Sequence, residues 1–348
     1  VVKPLVGVLD DGPSDAAVLR PDLERLDGLV VAHGICPKFS DIDTYWMVMN
    51  AVDEAVRNAV CVGADLEHMA GLDNFCWCDP IQSEKTPDGH YKLAQLVRAN
   101  KALYEITKIY GVPCISGKDS MKNDYLATGL GLSPEENPFG VGTVLPDGSL
   151  KISVPPTLLF SVIARIPDVT RAMTMEVKAP GELVYILGQT RAELGGSEYF
   201  ASLGFVGQSV PRVQPDTARE RYLRLREAIY YGLISAAHDC SDGGLAVALA
   251  EMAFAGGLGM VIDLSAVPYE GENRADYILF SESASRIIVT VPREKQREFE
   301  KLFSGTTYAL IGEVVAEPVL TVRNGRGETV IEENIFTLKA CWQKPLAW

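Results

Sequence analysis

The sequence predicts a layered protein of the α+β (α/β layered) class that is built as two domains. The chain has 348 residues, which is long for one compact core, so two domains are the default expectation. Apolar, strand-like runs alternate with helical patterns in both halves of the chain, as is typical of sheets covered by helices. We place the boundary after the apolar run at 157–164, which gives domains 1–167 and 168–348.

Apolar spacing predicts the elements of the first domain. A helical period predicts one helix over residues 43–62 and another over 90–110. In the second helix we expect these residues to face inward: Leu93, Leu96, Val97, Leu103 and Ile106. Short apolar runs predict strands at 5–9, 16–19, 29–32 and 157–164, and a buried strand at 112–115. The Gly- and Pro-rich residues 126–156 are expected to be irregular.

The second domain shows the same alternation of strands and helices. Helices are predicted at 216–235 and 244–255. Strands are predicted at 183–188, 259–264, 286–291, 309–315 and 319–323. This interleaving indicates a layered architecture for the second domain as well.

Charge and composition exclude several classes of function. The formal net charge of −14 argues against nucleic acid as a partner, because neutralising phosphates requires an excess of Lys and Arg. No apolar run approaches about 18 residues, so no membrane span is predicted. The chain opens without Met and without a signal-peptide pattern, so we expect a fragment or a processed chain. The seven cysteines show no zinc-type spacing, which favours free thiols in a reducing cytoplasm.

The strongest local candidate for a ligand site is the run 238–245, which reads His-Asp-Cys-Ser-Asp-Gly-Gly-Leu and leads into an Ala- and Leu-rich helix. Its glycines permit close approach of the backbone to a ligand, and the helix start offers free N–H groups. Phosphate can bind at such a helix start, and neighbouring carboxylates can hold the magnesium that accompanies it. A plain helix N-cap by Ser241 or Asp242 is the alternative that the pattern leaves open.

Two further patterns are candidates for the same chemistry. The run 116–120, Ser-Gly-Lys-Asp-Ser, is not a Walker A loop, because Asp119 occupies the position of the Ser or Thr that would bind magnesium. It can still hold phosphate through backbone N–H groups and an ammonium, or be a tight turn with a surface lysine. Asn50, Glu54 and Asn58 are four residues apart and stack on one helix face, as ligands or as a solvated polar surface.

Five motifs occur in a fixed order along nearly the whole chain. They lie at 12–18, 116–121, 195–199, 239–245 and 280–286. On these motifs the chain resembles phosphoribosylformylglycinamidine synthase, of the aminoimidazole ribonucleotide synthetase-like superfamily. The resemblance implies a two-domain unit, with a sheet-plus-helices domain followed by an α/β sandwich domain.

The resemblance also implies an activity. The family enzyme converts formylglycinamide ribonucleotide, ATP and ammonia into formylglycinamidine ribonucleotide, ADP and phosphate in purine biosynthesis, with ammonia supplied from glutamine by a glutaminase. It consists of two similar halves, and this chain resembles the second. The first half carries a Glu-Ser-His-Asn-His-Pro stretch with the catalytic histidine, and the corresponding residues 31–37 here read Val-Ala-His-Gly-Ile-Cys-Pro. The resemblance therefore implies no catalytic residue in this chain and no activity of the chain alone.

Site residues and partners follow from the same resemblance. The implied cofactors are Mg²⁺ and ATP or ADP at an auxiliary structural site. The implied magnesium ligands are Asp15, Glu54, Asn58 and Asp239, and the implied nucleotide contacts there are Ser14 and Ser241. A second group belongs to the composite active site between the halves: Gly117, Lys118 and Ser120. The implied partners are the N-terminal synthase half and a glutaminase subunit or domain, in the cytoplasm, and we expect the isolated chain to form a homodimer.

Two other functions remain open at this point. A two-domain unit of this size is a whole protein in related families, so the chain could be an autonomous kinase or synthetase similar to selenophosphate synthetase or thiamine-phosphate kinase. It could also be a non-catalytic interaction module in which only the fold and the pairing surface matter.

Overall fold

Two β-sheets carry the fold, one of five strands and one of seven. The structure is a computed structural model, and it describes residues 1–133, 137 and 142–346. The helices of the first half of the chain are α1 (Thr44–Cys61) and α2 (Gly89–Tyr110). The strands of the same half are β1 (Leu5–Val6), β2 (Gly12–Pro13), β3 (Ala17–Leu19), β4 (Gly28–Ile35), β5 (Met69–Cys76), β6 (Cys114–Ser120), β7 (Asp124–Ala127), β8 (Thr143–Val144), β9 (Leu150–Ser153) and β10 (Thr157–Ile166).

The second half of the chain supplies the elements around the larger sheet. Its helices are α3 (Glu198–Ser202), α4 (Pro215–Tyr230), α5 (Gly244–Gly256), α6 (Ala275–Phe280), α7 (Gln296–Phe303) and α8 (Ile335–Gln343). Its strands are β11 (Leu183–Leu187), β12 (Thr190–Arg191), β13 (Ala236–Cys240), β14 (Gly259–Asp263), β15 (Tyr269–Glu270), β16 (Arg286–Val291), β17 (Tyr308–Val315), β18 (Val319–Arg323) and β19 (Thr329–Asn334).

The five-stranded sheet is covered by helices on one face. Its order is β3–β4–β10–β5–β6, antiparallel except for the parallel pair of β5 and β6. α1 lies across β4 and β10, and α2 packs against α1. α1 begins after its N-cap Asp43, whose side chain accepts a hydrogen bond from the backbone N–H of Tyr45 at 2.9 Å. On the other face of the sheet, Val31, Ile35 and Ile163 are exposed.

Two expectations for this half of the chain are wrong. The predicted buried strand at 112–115 leads into β6, which is an exposed edge strand because, among the described residues, it has a neighbouring strand on one side only. In α2, Leu93 and Val97 are exposed, since they lie on the opposite side of the helix from the buried Ala102. The inward stripe of α2 is therefore partly made of alanines, which allow α1 and α2 to approach closely.

The expected irregularity of residues 126–156 is also wrong for the part of this segment that the structure describes. β7, β9 and β8 form a separate three-stranded antiparallel sheet in that order. Its strands are two to four residues long, which is too short for an alternating pattern to stand out from the flanking Gly and Pro. Residues 134–136 and 138–141 lie outside the described residues.

The seven-stranded sheet is covered more completely. Its order is β13–β16–β11–β17–β14–β18–β19, with β14 and β18 parallel. Every residue of β11, β13 and β16 is buried. α5 lies against β13 and β14, and α1 from the first half also reaches β13. The predicted strands and helices of this half are present, although α4 ends at Tyr230, before the predicted end. The layered α+β class is confirmed.

The N-terminal segment 1–15 connects the two sheets. β1 and β2 form a hairpin, and β2 packs on α5 of the second half. Gly12 lies so close to α5 that an added Cβ would stand 2.6 Å from the Cβ of Ala255, so only glycine permits this contact. The path of this segment between the two sheets places Asp15 beside β13. Helix α1 also contacts β13.

Candidate functional site

Asp15 and β13 form the centre of the site. The side-chain Oδ1 of Asp15 accepts a hydrogen bond from the backbone N–H of Asp239 at 3.0 Å and lies 2.9 Å from Nδ1 of His238. The side chain of Asp15 is only 1% exposed. Its second oxygen, Oδ2, is buried and has no hydrogen-bond partner among the described residues. A buried carboxylate oxygen without a donor is costly, so this atom calls for a further ligand.

Asp239 is held from the opposite side by α1. Nη2 of Arg57 donates to Oδ2 of Asp239 at 3.0 Å, and Nη1 of Arg57 donates to Oδ2 of Asp53 at 2.6 Å. Burial opposes the charge of Arg57, but Asp239 and Asp53 outweigh it and hold the pKa of Arg57 above its ordinary value. Burial raises the pKa of Asp239, an effect that Arg57 partly offsets.

Asp53 anchors this network in the core. It is fully buried and accepts hydrogen bonds from Tyr222 at 2.6 Å, from Ser285 at 3.0 Å and from Tyr110. These donors come from α2, α4 and the segment before β16, so Arg57 is fixed by three separate parts of the fold. The Asp53–Arg57 pair is spaced i, i+4 on α1, a signal that was present in the sequence but does not by itself indicate burial.

His238 supplies a second cation. Its Nδ1 faces Asp15, and its Nε2 lies 2.9 Å from Oε2 of Glu251 on α5. Burial lowers the pKa of His238, but the two carboxylates outweigh burial and raise it well above its ordinary value. Both ring nitrogens are engaged, so His238 orients carboxylates and is not itself free to bind a ligand.

The polar row on α1 is not a solvated surface. Asn50 is buried and donates to the backbone oxygens of Trp46 and Pro211, both at 2.8 Å. Glu54 accepts from the backbone N–H of Ile35 at 2.8 Å. Burial, together with the nearby charge of Asp239, raises the pKa of Glu54 to about 8.

Asn58 completes the row one turn after Glu54. Its Nδ2 donates to the backbone oxygen of His33 at 3.2 Å, and its Oδ1 is buried and unpartnered among the described residues. With Oδ2 of Asp15, it is a second buried oxygen that lacks a donor. Both atoms are of the kind that a hard cation such as Mg²⁺ prefers.

The loop before α5 is not a side-chain cap. The N-cap position of α5 is Gly243, with φ of 76° and no side-chain hydrogen bond, so the alternative in which Ser241 or Asp242 caps the helix is wrong. Ser241 Oγ instead lies 3.5 Å from Oδ1 of Asp239. The backbone N–H of Gly243 donates to Glu282 at 2.8 Å. Ser241 therefore faces the acidic cluster rather than its own helix.

A small cleft opens beside this loop. Its volume is about 20 Å³, and it is lined by Cys36, Phe39, Asn50, Glu54, Arg57, Ser241, Asp242, Glu282 and Ala284. Two of its carboxyls are strongly affected by burial, which raises the pKa of Asp242 to about 6 and that of Glu282 to about 7. Glu282 also accepts from the backbone N–H of Glu198 at 2.9 Å, which joins the motifs at 195–199 and 239–245. These roles of Glu282 and Asp242 were not foreseen from the sequence.

The remaining predicted site residues lie in different surroundings. Ser14 directly precedes Asp15 in the sequence, and its hydroxyl donates to the backbone oxygen of Ala16 at 2.9 Å. Gly117, Lys118 and Ser120 lie on the exposed strand β6 at the edge of the other sheet, with Lys118 donating to Ser120. They form a strand, so the tight turn considered for 116–120 is wrong, and the structure does not bring them to the acidic cluster.

The oxygen set fits a magnesium ion. Ligand atoms of Asp15, His238 and Asp239 all lie within 4.8 Å of one another. The two unpartnered atoms are a carboxylate and an amide oxygen, which Mg²⁺ prefers to a thiol such as that of Cys36, whose Sγ lies 3.5 Å from Oε2 of Glu54. Arg57 and His238 already balance part of the negative charge, so the cluster is stable enough to form before a cation binds.

Comparison with known proteins finds relatives along nearly the whole chain. The domain family described as "AIR synthase related protein, C-terminal domain" matches residues 179–324. PurL, the phosphoribosylformylglycinamidine synthase subunit, of Deinococcus radiodurans is 32% identical over 346 residues, or 97% of this chain and 42% of the relative. PurL of Thermococcus gammatolerans is 34% identical over 311 residues, which are 89% of this chain and 38% of that relative. Over nearly its whole length, the chain is similar to the phosphoribosylformylglycinamidine synthase subunit PurL. It spans less than half the length of these curated relatives.

Solved structures show the same fold. Thermotoga maritima PurL complexed with FGAR superposes with a TM-score of 0.71 at 19% identity, covering 96% of this chain and 49% of that one. A chain of a HypE–HypF complex superposes with a TM-score of 0.64 at 16% identity, covering 92% of this chain and 93% of that one. No described helix is long and apolar enough to cross a bilayer.

Proposed function

We propose that this chain is the second synthase half of a phosphoribosylformylglycinamidine synthase, an ATP-dependent C–N ligase of purine biosynthesis in the cytoplasm. The whole enzyme would convert formylglycinamide ribonucleotide, ATP and glutamine-derived ammonia into formylglycinamidine ribonucleotide, ADP and phosphate. Support comes from relatives named for this activity, of which the chain spans about 42% in the Deinococcus radiodurans protein. The observation that carries the proposal is the buried carboxylate cluster at Asp15 and Asp239, with its unpartnered oxygen.

The cluster is proposed as an auxiliary Mg²⁺–nucleotide site. Four oxygen-bearing residues would hold the cation: Asp15, Glu54, Asn58 and Asp239. Ser14 and Ser241 would contact ATP or ADP. The N–H groups of Gly243 and Gly244 are already bonded, so phosphate would meet the next N–H groups at the start of α5. The magnesium would neutralise phosphate charge there. The chain's own residues act by position: Arg57 and His238 keep Asp239 and Asp15 oriented, and no catalytic residue is assigned to this chain.

The exposed strand β6 is proposed as part of a composite active site. Lys118 pairs in register with Asn74 of β5, and Ile163 of β10 pairs with Val31 of β4, with side chains on the uncovered face of the sheet. An N-terminal synthase half that covers this face would also receive Gly117, Lys118 and Ser120. The Lys118 ammonium would then meet a phosphate, since it cannot bind a cation.

The same uncovered face supports the proposed assembly. Exposed apolar residues across β4 and β10 are typical of a surface that another subunit covers. We assign it to the N-terminal synthase half in the enzyme and to a second copy in the isolated chain, which gives a homodimer. A glutaminase subunit or domain completes the enzyme. The proposed domains are 1–167, which contains the five-stranded sheet, and 168–348, which contains the seven-stranded one.

Calorimetric titration tests the auxiliary site. We expect ADP to bind the wild type in the presence of magnesium and not in EDTA. Asp15→Asn removes the charge that faces the cation and is expected to abolish this binding, whereas Asp263→Asn, on a different strand end, leaves it unchanged. Absence of magnesium-dependent binding in the wild type would refute a self-contained site.

Reconstitution tests the half-enzyme. The chain mixed with an N-terminal synthase half and ammonia is expected to form ADP only when formylglycinamide ribonucleotide is present, and neither half is expected to do so alone. A mixture that associates but shows no substrate-dependent ADP formation would contradict the proposal.

A second candidate is an autonomous kinase or synthetase. The match to a chain of the HypE–HypF complex favours this candidate, because the fold covers 93% of that chain and 92% of this one. The expected sign is ATP hydrolysis by the isolated chain that depends on a small acceptor. A third candidate, a non-catalytic interaction module, predicts that Mg²⁺ and ADP leave the unfolding temperature unchanged.

A further inference from the structure

A second cavity, of about 180 Å³, lies in the second half of the chain and plays no part in the proposed function. It is lined by Gln189, Arg191, Arg212, Gln214, Thr217, Glu220, Arg221, Glu270, Ala284, Ser285, Gly305, Thr306 and Thr307. The start of α4, the turn after β11 and the turn before β17 enclose it. Three arginines on one cavity are unusual in a chain whose net charge is −14.

Arg221 is the residue that decides the chemistry of this cavity. It is 7% exposed, and its Nη1 donates to the backbone oxygen of Ser285 at 2.8 Å. Its Nε is buried without a hydrogen-bond partner, and no carboxylate in the described part of the chain lies within ion-pair distance. A buried guanidinium without a counter-charge is costly.

Arg286 is a comparison for Arg221, because it is a buried arginine whose hydrogen bonds are all made within the protein. It is fully buried and also lacks an ion pair among the described residues. Its guanidinium donates to the backbone oxygens of Ser283 and Ser281 and to the hydroxyl of Thr190 at 2.5–3.0 Å, so its three nitrogens are satisfied. Arg221 has no such set of acceptors. The unpartnered Nε of Arg221 therefore points to an acceptor that the protein itself does not supply.

The other charges of the cavity leave a positive excess. Arg191 is paired with Glu270 at 3.1 Å, and Glu220 is paired with Arg224, which does not line the cavity. Arg212 has no ion pair in the described residues, and its guanidinium lies 5.8 Å from the ring of Trp46. Arg212 and Arg221 are thus the two cations that no carboxylate neutralises.

The start of α4 adds backbone donors. Gln214, at the N-cap, makes no side-chain cap, and the first helical hydrogen bond runs from Ala218 to Gln214 at 3.0 Å. The N–H group of Thr217, which lines the cavity, precedes that bond and has no helical partner. The helix has 16 residues, so its positive end adds to the field of the arginines. The side chain of Asp216 does not line the cavity.

We propose that this cavity binds a phosphate-type oxyanion, either inorganic phosphate or the phosphoryl group of a small phosphate ester. A planar guanidinium fork, a free arginine and helix N–H groups are the donors that phosphate oxygens prefer. The volume is well below the roughly 300–1,000 Å³ of pockets for drug-sized ligands, so the ligand is small. The cavity shares Ala284 with the cleft beside the acidic cluster, but it is lined by none of the proposed magnesium ligands, so phosphate binding here does not require magnesium.

Phosphate titration in EDTA tests the site. Calorimetry or phosphorus NMR at constant ionic strength is expected to show saturable binding of inorganic phosphate to the wild type. Loss of one charge-assisted donor is expected to weaken binding about tenfold or more in Arg212→Gln and in Arg221→Gln. Arg219→Gln, on the same helix but outside the cavity, is the control and is expected to bind as the wild type does.

Folding and ligand source are controlled within the same experiment. Arg221 is buried, so circular dichroism checks its variant, while Arg212 is exposed and tests the site without that risk. Ribose 5-phosphate that binds about tenfold tighter than phosphate supports an ester, and equal affinity supports the free anion. Tighter binding of ribose 5-phosphate and equal affinity for the two probes both require that the cavity binds phosphate.

Two results would overturn the proposal. One is wild-type affinity for both probes weaker than about 10 mM, and the other is equal weakening in Arg219→Gln. Asp15→Asn is expected to keep phosphate binding, because Asp15 does not line this cavity. Failure of magnesium-dependent ADP binding and failure of this site are therefore distinguishable.

Discussion

The acidic cluster around Asp239 and the exposed strand around Lys118 come from two sequence motifs of similar appearance, yet the fold treats them oppositely. Asp239 is buried and tied to Asp15 and Arg57 by hydrogen bonds within the chain. Lys118 lies on an edge strand whose outer side pairs with no strand in the part of the chain that the structure describes. In the proposed function, the first site is therefore assembled by this chain alone, whereas the second becomes a site only when another polypeptide covers the sheet.

The comparison is energetic as well as geometric. The acidic cluster holds several carboxylates out of water, and only the cations Arg57 and His238 make that arrangement stable. The Lys118 strand keeps its charges in solvent, where each contributes little. Substitutions in the acidic cluster should therefore change the stability of the isolated chain, and substitutions on the strand should change only what the chain does with a partner.

The largest effect is expected from Arg57→Met. It leaves Asp53 and Asp239 buried without their shared cation, which should lower the free energy of unfolding by about 3–5 kcal/mol. Denaturant titration followed by circular dichroism measures the change. Arg293→Met breaks an exposed ion pair with Glu313 and is expected to cost less than about 1 kcal/mol. Equal effects of the two variants would show that the cluster is not a distinct, buried network.

The second-largest effect is expected in how the free energy of unfolding depends on pH. The pKa of Glu54 is about 8 in the folded chain, against an ordinary value of 4.5. Between about pH 5 and pH 8 the unfolded carboxyl is ionised while the folded one keeps its proton, so unfolding releases a proton. The free energy of unfolding should therefore fall as the pH rises, by up to about 1.4 kcal/mol per pH unit from this group.

Glu54→Gln isolates that contribution. The amide oxygen can still accept from the N–H of Ile35, so the geometry is kept while the titration is removed. Unfolding measured in EDTA between pH 5 and pH 8 should show a smaller slope, with Asp242 and Glu282 retaining part of it because their pKa values are also raised. Glu332→Gln on the exposed strand β19 serves as the control. An unchanged slope in Glu54→Gln would mean that Glu54 is ionised in the folded chain.

What the sequence could predict depended on local periodicity. The apolar stripe of 43–62 was enough for α1, since a buried helix repeats its pattern over several turns. The same pattern placed Glu54 and Asn58 on one face, and the structure puts that face next to β13. The predictions failed where the burial of a segment depends on which strands or helices lie next to it in the fold. Whether 112–115 is central or at an edge depends on how many strands pair with it, and no local pattern carries that information.

The charge partners of the site were beyond local reasoning for the same physical reason. Arg57 bonds Asp239 across 182 positions of sequence, and Tyr222 bonds Asp53 across 169. Such pairs form because the fold brings α1, α4 and β13 together. The sequence analysis considered magnesium as the cation beside these carboxylates, and it overlooked the two cations that the chain itself provides, Arg57 and His238.

A smaller effect on the isolated chain is expected from Ile163→Lys on the uncovered face of the sheet. Placing a charge there should disfavour the proposed pairing and turn a homodimer into a monomer in sedimentation velocity. The fold itself should persist, because Ile163 is 40% exposed and a lysine there can reach solvent. Val330→Lys, at a similarly exposed position of β19, should leave the assembly unchanged. A wild-type monomer at tens of micromolar, a concentration that populates dimers of micromolar affinity, would argue against pairing through this face.

The smallest effect on the chain alone is expected from Lys118→Ala. The side chain is exposed and bonds only Ser120 in the described structure, so the free energy of unfolding should change by no more than about 0.5 kcal/mol. If the strand belongs to a composite site, the same variant should lower ATP-dependent turnover after reconstitution with the N-terminal half. Lys101→Ala, on the exposed side of α2, should change neither quantity. A Lys118 variant that keeps full turnover would leave the strand as an edge of the sheet with no share in the chemistry, and the contrast between the two motifs would then be one between a site and a surface.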